Sequence, residues 1–249
     1  MIRIEPRNSP SKIFVLGMPV LSAILALLLA AIPLKFAGAP LAESYFQLFN
    51  GVFGSTFAFS EMLTRATPLI FTGLAVTLAF RARLWNIGAE GQLYLGALAA
   101  VAVGTGVIDA PAFILIPVII LAGCCAGAAG MAIPAALKTR FGADEVVTTL
   151  LLNFIIIIFV QYMLEGALKD PMGLGWPQSS PILDQGMLPQ LMDRMRVHSG
   201  LIIALTCSVV AHFMLVRSIW GFKLRAVGEN GSAARHSGIK VNRTLLTAA

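Results

Sequence analysis

Charge is what this sequence has least of: Asp, Glu, Lys and Arg make up 12% of its 249 residues, about half the usual share for a globular protein. So little charge cannot cover the chain with a water-facing surface. Cysteine and histidine are scarce too, three of each. Cys124, Cys125 and Cys207 lie inside apolar runs, where thiols pack as small hydrophobes, and His198, His212 and His236 are unclustered. Neither a disulfide framework nor a metal site is expected. There is no GxxxxGK[ST] phosphate loop, so any ATP hydrolysis must come from another chain. No nucleophile stands beside a base, which leaves a membrane-embedded enzyme without its constellation. The net charge of +6 does not signal nucleic acid either, because the basic residues flank apolar runs instead of lining one face among aromatics.

What is abundant is oil. The chain is 57% hydrophobic with a mean hydropathy of +0.84, and several runs approach the roughly 20 apolar residues that a bilayer demands. Run length therefore predicts an all-α, polytopic transmembrane bundle. Ile13 to Leu34 is the first span; Ala37, Gly38 and Ala39 resemble a signal-peptidase site, but the run exceeds the roughly 7–15 residues of a signal peptide, so the helix is read as retained. Lys35 to Arg65 is mixed, with Phe46, Phe49, Phe53, Phe57 and Phe59, and fits a segment along the outer interface or partly re-entering it.

Ala66 to Phe80 and Leu93 to Ile108 are short apolar runs. Ala112 to Leu137 is long, kinkable at Pro117 and Pro134, and its Gly123 and Gly127 predict close packing against another helix. Val146 to Leu164 and Gly200 to Val216 follow, separated by a polar loop from Glu165 to Ser199. That makes about six spanning helices. Thr244 to Ala249 reads as the start of a seventh, so the single transmembrane domain of residues 1–249 is expected to be truncated there.

Orientation follows from the basic residues. With the N-terminus in the cytoplasm, Arg3, Arg7, Lys12, Arg81, Arg83, Lys138, Arg140, Arg217, Lys223, Arg225, Arg235, Lys240 and Arg243 fall inside, and Lys35, Arg65, Lys169, Arg194 and Arg196 fall outside. Thirteen against five favours this topology over its inverse.

Three polar features interrupt the oil. Trp85 to Gln92, WNIGAEGQ, places Asn86, Glu90 and Gln92 between two short runs. It reads as a broken helix pair inside the membrane or as a cytoplasmic turn, and residues alone leave both open. Glu145, Thr149 and Asn153, spaced by four, share one helix face that either lines a pathway or hydrogen-bonds a neighbouring helix. Gly221 to Val241 is the third. Asn230 suits an N-cap, Gly231 to Ser237 about two turns of helix, and Gly238 a left-handed stop. Such a helix is far below the roughly 12–15 residues at which isolated helices become marginal, so its flanks or a partner must hold it. Ala233 and Ala234 would offer a smooth face; a plain solvated loop is the other reading.

Three stretches, LWNIGAEGQLYLGALAA, KTRFGADEVVTTLLLNF and GFKLRAVGENGSAARHSGIKVNR, together resemble the permease subunits of bacterial ATP-binding-cassette (ABC) importers, in the nucleoside and simple-sugar branch related to branched-chain amino acid and ribose permeases. The resemblance covers most of the chain. It implies a type II importer-like bundle in the inner membrane, working with a second permease subunit, a separate ATPase and an external substrate-binding lipoprotein or periplasmic protein. No cofactor would sit on this chain, and ATP would bind the partner ATPase. It also implies that residues 221–241 form a cytoplasmic coupling segment, with Gly228, Glu229, Asn230, Ala234, Arg235 and Gly238 at the ATPase, and that Asn86, Glu90, Gln92, Thr149 and Asn153 lie nearest a passage for nucleoside or sugar. The alternative is an ion-coupled secondary transporter titrating at Glu90 and Glu145, which usually carries an inverted repeat.

Overall fold

The computed structural model describes residues 11–249; Arg3 and Arg7 of the expected cytoplasmic N-terminus lie outside the described residues. Among these residues there are ten α-helices, one short 3-10 turn and no extended strand. An apolar chain in lipid has no water to satisfy its N–H and C=O groups, so the backbone satisfies itself as helix. Five helices are long and apolar enough to cross a membrane. Their outward faces are Leu121, Phe154, Ile155, Ile158, Val209 and Phe213, a surface that suits hydrocarbon and not water. Contacts divide the chain into two compact units, one ending at Phe59 and one of Ser60–Ala249.

The first unit holds α1 (Lys12–Phe36) and α2 (Leu41–Phe53). Ser11 caps α1 by accepting from the Phe14 N–H, and the Tyr45 hydroxyl of α2 donates to the Leu27 carbonyl of α1. At 13 residues α2 is too short to cross, and its exposed Phe46, Phe49 and Phe53 form one apolar stripe, as expected of a helix lying in an interface.

The second unit contains most of α3 (Thr56–Arg81), then α4 (Ala89–Gly104), α5 (Ala112–Phe141), α6 (Glu145–Glu165), α7 (Gly200–Arg217), α8 (Ile219–Glu229), α9 (Gly231–His236) and α10 (Val241–Ala248). The third helix starts ten residues ahead of the expected run at Ala66. In its polar first turns the Thr64 and Thr67 hydroxyls are satisfied by the carbonyls of Ser60 and Leu63, and Glu61 faces the guanidinium of Arg65 (4.0 Å) and that of Arg196 (3.6 Å). It ends with Arg83 at φ 55, the Arg83 N–H on the Phe80 carbonyl and the Leu84 N–H on that of Ala79. This is a Schellman stop with arginine in the left-handed position where glycine is usual.

The tightest helix pair is α4 against α5. A Cβ added to Gly96 would sit 2.9 Å from the Gly123 carbonyl oxygen, so these backbones touch, and Gly127 lies against the Gln92 carbonyl. The small-residue spacing on α5 therefore serves packing within the chain. At 16 residues α4 is only about 24 Å long, short of a hydrocarbon core of about 30 Å. Five helices are long and apolar enough to cross and α4 is a shorter apolar helix, in keeping with about six membrane helices; the non-helical segment 82–88 leads into α4. On the far side, the 166–199 segment returns over the bundle. Its Leu183 N–H bonds the Gly104 carbonyl, and Gly186, in the 3-10 turn Asp184–Gly186, sits against Leu115 and Ile119 of α5.

Candidate functional site

The polar island and the polar helix face, 60 residues apart in sequence, meet. The Trp85 N–H donates to Glu145 Oε1 (3.3 Å), the Ile87 N–H to Thr149 Oγ1 (3.1 Å) and the Gly91 N–H to Asn153 Oδ1 (2.5 Å). The segment thus climbs α6 in step with positions i, i+4 and i+8, over about 12 Å. A strand would find these partners on another strand; here one helix face supplies them. The fit leaves no room for side chains: a Cβ on Gly88 would lie 2.7 Å from the Thr149 carbonyl oxygen, and one on Gly91 2.7 Å from Asn153 Oδ1. On either reading of Trp85 to Gln92, the segment is irregular backbone held against α6, with Asn86 and Gly88 buried and Trp85 and Ile87 turned outward.

The remaining polar atoms close on one another. Asn86 Nδ2 donates to Gln92 Oε1 (2.9 Å), while Asn86 Oδ1 accepts from Gln92 Nε2 (3.1 Å) and from the Gly88 N–H (2.9 Å). At the foot of the ladder Lys138 of α5 pairs with Glu145, which is only 6% exposed. Of the five residues expected at a passage, Asn86, Gln92, Thr149 and Asn153 are therefore engaged in one hydrogen-bonded seam. Glu90 stands apart, exposed on the first turn of α4.

The segment from α8 to α10 is tied to the same end of the bundle. Asn230 caps α9, its side chain accepting from Ser232 and Ala233 N–H (3.0 and 3.1 Å), and Gly238 follows the helix at φ 82. The two-turn helix thus forms where cap and stop predict it. Its anchor is apolar: Leu224 and Val227 of α8, Ala234 of α9 and Leu245 and Ala248 of α10 join Ala79, Ala82, Leu84 and Met131 in one buried cluster. Burying a side chain such as Leu84 or Leu224 contributes about 1.5–3 kcal/mol. The walls are close. A Cβ on Gly228 would lie 2.1 Å from the Arg81 carbonyl oxygen, and Asn242 Nδ2 donates to the Thr139 carbonyl at the end of α5 (3.1 Å).

This sorts the six residues expected at the ATPase. Glu229, Asn230, Arg235 and Gly238 are exposed, whereas Gly228 and Ala234 face the chain's own core. The expectation that Ala233 and Ala234 together offer a smooth face is corrected: only Ala233 is turned outward, because α9 is too short to stand without burying one of them. Two connecting residues were not singled out from the sequence. Leu84 sits in the cluster directly before Trp85 of the seam, and Met131 belongs to the cluster while its sulfur accepts from Gln92 Nε2 (3.4 Å). A leucine immediately before a polar island was the one visible signal.

The chain resembles known permeases over nearly all of its length. It is 38% identical over 230 residues to the guanosine ABC transporter permease protein NupP of Bacillus subtilis, an alignment spanning 92% of this chain and 66% of that protein. It is 36% identical to the glucose ABC transporter permease protein TsgB13 of Haloferax volcanii (96% and 65%) and 28% identical to the nucleoside ABC transporter permease protein NupB of Lactococcus lactis (96% and 67%). The chain thus spans just under two thirds of the first two relatives. No solved structure matches. The family model for the branched-chain amino acid transport system / permease component matches residues 58–249, and with the membrane helices in place the chain belongs to that family.

Proposed function

We propose that this chain forms the membrane passage of an ABC importer for a nucleoside or simple sugar and converts the motion of a partner ATPase into access. In this reading the N-terminus and α8–α10 lie in the cytoplasm, the membrane is the bacterial inner membrane, and a second permease subunit completes the passage. An external substrate-binding protein delivers cargo, and ATP binds the ATPase alone. Relatives named for guanosine, nucleoside and glucose transport support the cargo class.

One observation carries the reading: a capped helix of six residues, α9, is fixed through a single buried cluster to the ends of helices that otherwise sit in the bundle. A push on α9 moves Ala234, then Leu224 and Val227, and with them Ala79 and Ala82 of α3 and Leu84 of the lead-in segment. Packed cores of this kind pass displacement on because they do not compress. Leu84 adjoins the ladder on α6, so the same push bears on the seam of Asn86, Gln92, Thr149 and Asn153.

The test is ATP-dependent uptake of nucleosides and of glucose in vesicles holding the full-length permease pair, its ATPase and its binding protein. Arg235→Glu reverses an exposed charge on α9, where surface substitutions cost at most about 0.5 kcal/mol in stability. Uptake and ATPase association are expected to be lost together with thermal stability unchanged. If both survive, the coupling assignment falls and the secondary transporter gains, a reading already weakened by the pairing of Glu145 with Lys138.

A further inference from the structure

Beside the coupling helix, α8 and α10 leave a cleft of about 500 Å³, within the roughly 300–1,000 Å³ range of small-molecule sites. Trp220 and Lys223 of α8 form one wall, Lys240, Arg243 and Thr247 the other, and the turn Ser237–Ile239 closes one end. Three cations on two elements converge on it and no carboxylate lines it. Among the described residues none of the three takes part in an ion pair. The walls are held in register: Trp220 Nε1 donates to Thr247 Oγ1 (3.3 Å), and Thr244 and Leu245 anchor α10 in the core. The hydroxyls of Ser237, Thr244 and Thr247 already donate to helix carbonyls, which leaves the cations as the unused donors.

Position decides what kind of anion fits. Ser218 alone separates α7, a spanning helix, from α8, so the first turn of α8 lies within a few ångströms of where α7 ends. In that turn Ile219 is 76% exposed and Phe222 59% exposed, while Leu224 and Val227 further along α8 are buried. A helix with uncovered apolar residues, a tryptophan and a lysine directly after a spanning helix lies at headgroup depth. The excess of positive charge on this side explains that cations are present. It does not explain why three meet in one cleft next to an indole.

We infer that the α8–α10 cleft binds the phosphate of an anionic phospholipid from the leaflet in which α7 ends. Arg243 supplies a planar fork for phosphate oxygens, Lys223 and Lys240 supply point charges, and Ile219 and Phe222 lie along the acyl chains. No chemistry is involved. The lipid would hold α8 and α10 together at the base of the coupling helix.

The probe is Trp220 itself. In full-length permease keeping Trp220 as its only tryptophan, reconstituted in vesicles, fluorescence quenching by brominated phosphatidylglycerol is compared with quenching by brominated phosphatidylcholine. Preference for phosphatidylglycerol is expected to be on the order of tenfold and to drop about fivefold for each of Lys223→Gln, Lys240→Gln and Arg243→Gln. Raising ionic strength on the unaltered cleft should weaken the preference without any variant. Equal quenching by both lipids, or a preference that persists in the triple variant, overturns the inference. So does a preference that salt does not touch. Loss of the preference on adding inorganic phosphate makes the site one for a free anion, and its loss on adding the ATPase makes the cleft part of that interface; either result also overturns it.

Discussion

Two stretches of the second unit leave the long helices near the same end of the bundle, and they are built in opposite ways. In the lead-in segment 82–88 the Trp85 and Ile87 N–H groups find their acceptors far away, on Glu145 and Thr149 some 60 residues on. The α8–α9 stretch takes them from itself: Ser218 accepts from the Gly221 N–H, and Asn230 from Ser232 and Ala233. One has shape only when α6 is present; the other carries its shape and needs only an anchor. That difference suits a moving part. A self-capped helix can be displaced as a unit, while a segment zipped to a neighbour answers displacement by straining a ladder of bonds. The two are joined at Leu84 and Met131, so each can be broken while the other is watched.

The largest effect is expected from breaking the anchor. Gly228→Ala adds one carbon where the Arg81 carbonyl oxygen would lie 2.1 Å away, and backbone on both sides must give. A loss of about 3 kcal/mol, at the upper end for overpacking, is expected, read as a lowered unfolding midpoint of the purified permease. A stability unchanged within error would mean that α8 does not rest on the end of α3.

Next comes the ladder. Asn153→Leu removes the acceptor of the Gly91 N–H and leaves a buried donor unmet, at about 1–3 kcal/mol. Amide hydrogen exchange localises the damage: Gly91 and Ile87 should exchange faster while Ser232 and Ala233 of α9 keep their protection. Faster exchange in both stretches would show that the ladder supports α9, and the two stretches would then not differ.

How much of this was legible in the sequence follows the same division. The cap at Asn230, the left-handed Gly238, the packing glycines of α5 and the polar face of α6 are local patterns, and each is where the residues put it. The lead-in segment was ambiguous because its partner lies beyond any sequence window. A polar stripe looks the same whether it faces a passage or a backbone. The end of α3 was legible, since basic residues close the apolar run at Phe80 and the helix stops at Arg81; its start was not, because Glu61 and Arg65 fall in the mixed Lys35 to Arg65 stretch and are paired only once the helix forms. Ala234 was misread because nothing local in so short a helix marks which residue turns inward, and only the tertiary contacts with Leu224 and its neighbours decide it.

The smallest effect should also have the opposite sign. Gly231, three residues after Gly228, opens α9, and a Cβ there meets nothing within 4 Å. Gly231→Ala therefore removes freedom from the unfolded chain without a clash, which is expected to stabilise by about 0.4–1 kcal/mol. The substitution is the same as at Gly228; only the surroundings differ. Unfolding midpoints of the two single variants and the double variant measured together would separate anchor from helix: the effects should add if α9 is an independent unit, because sites without shared partners add to within about 0.5 kcal/mol. If Gly231→Ala stabilises nothing once Gly228 is altered, then α9 forms only when α8 is seated. In that case α9 is a product of its anchor and not a part that the anchor merely holds.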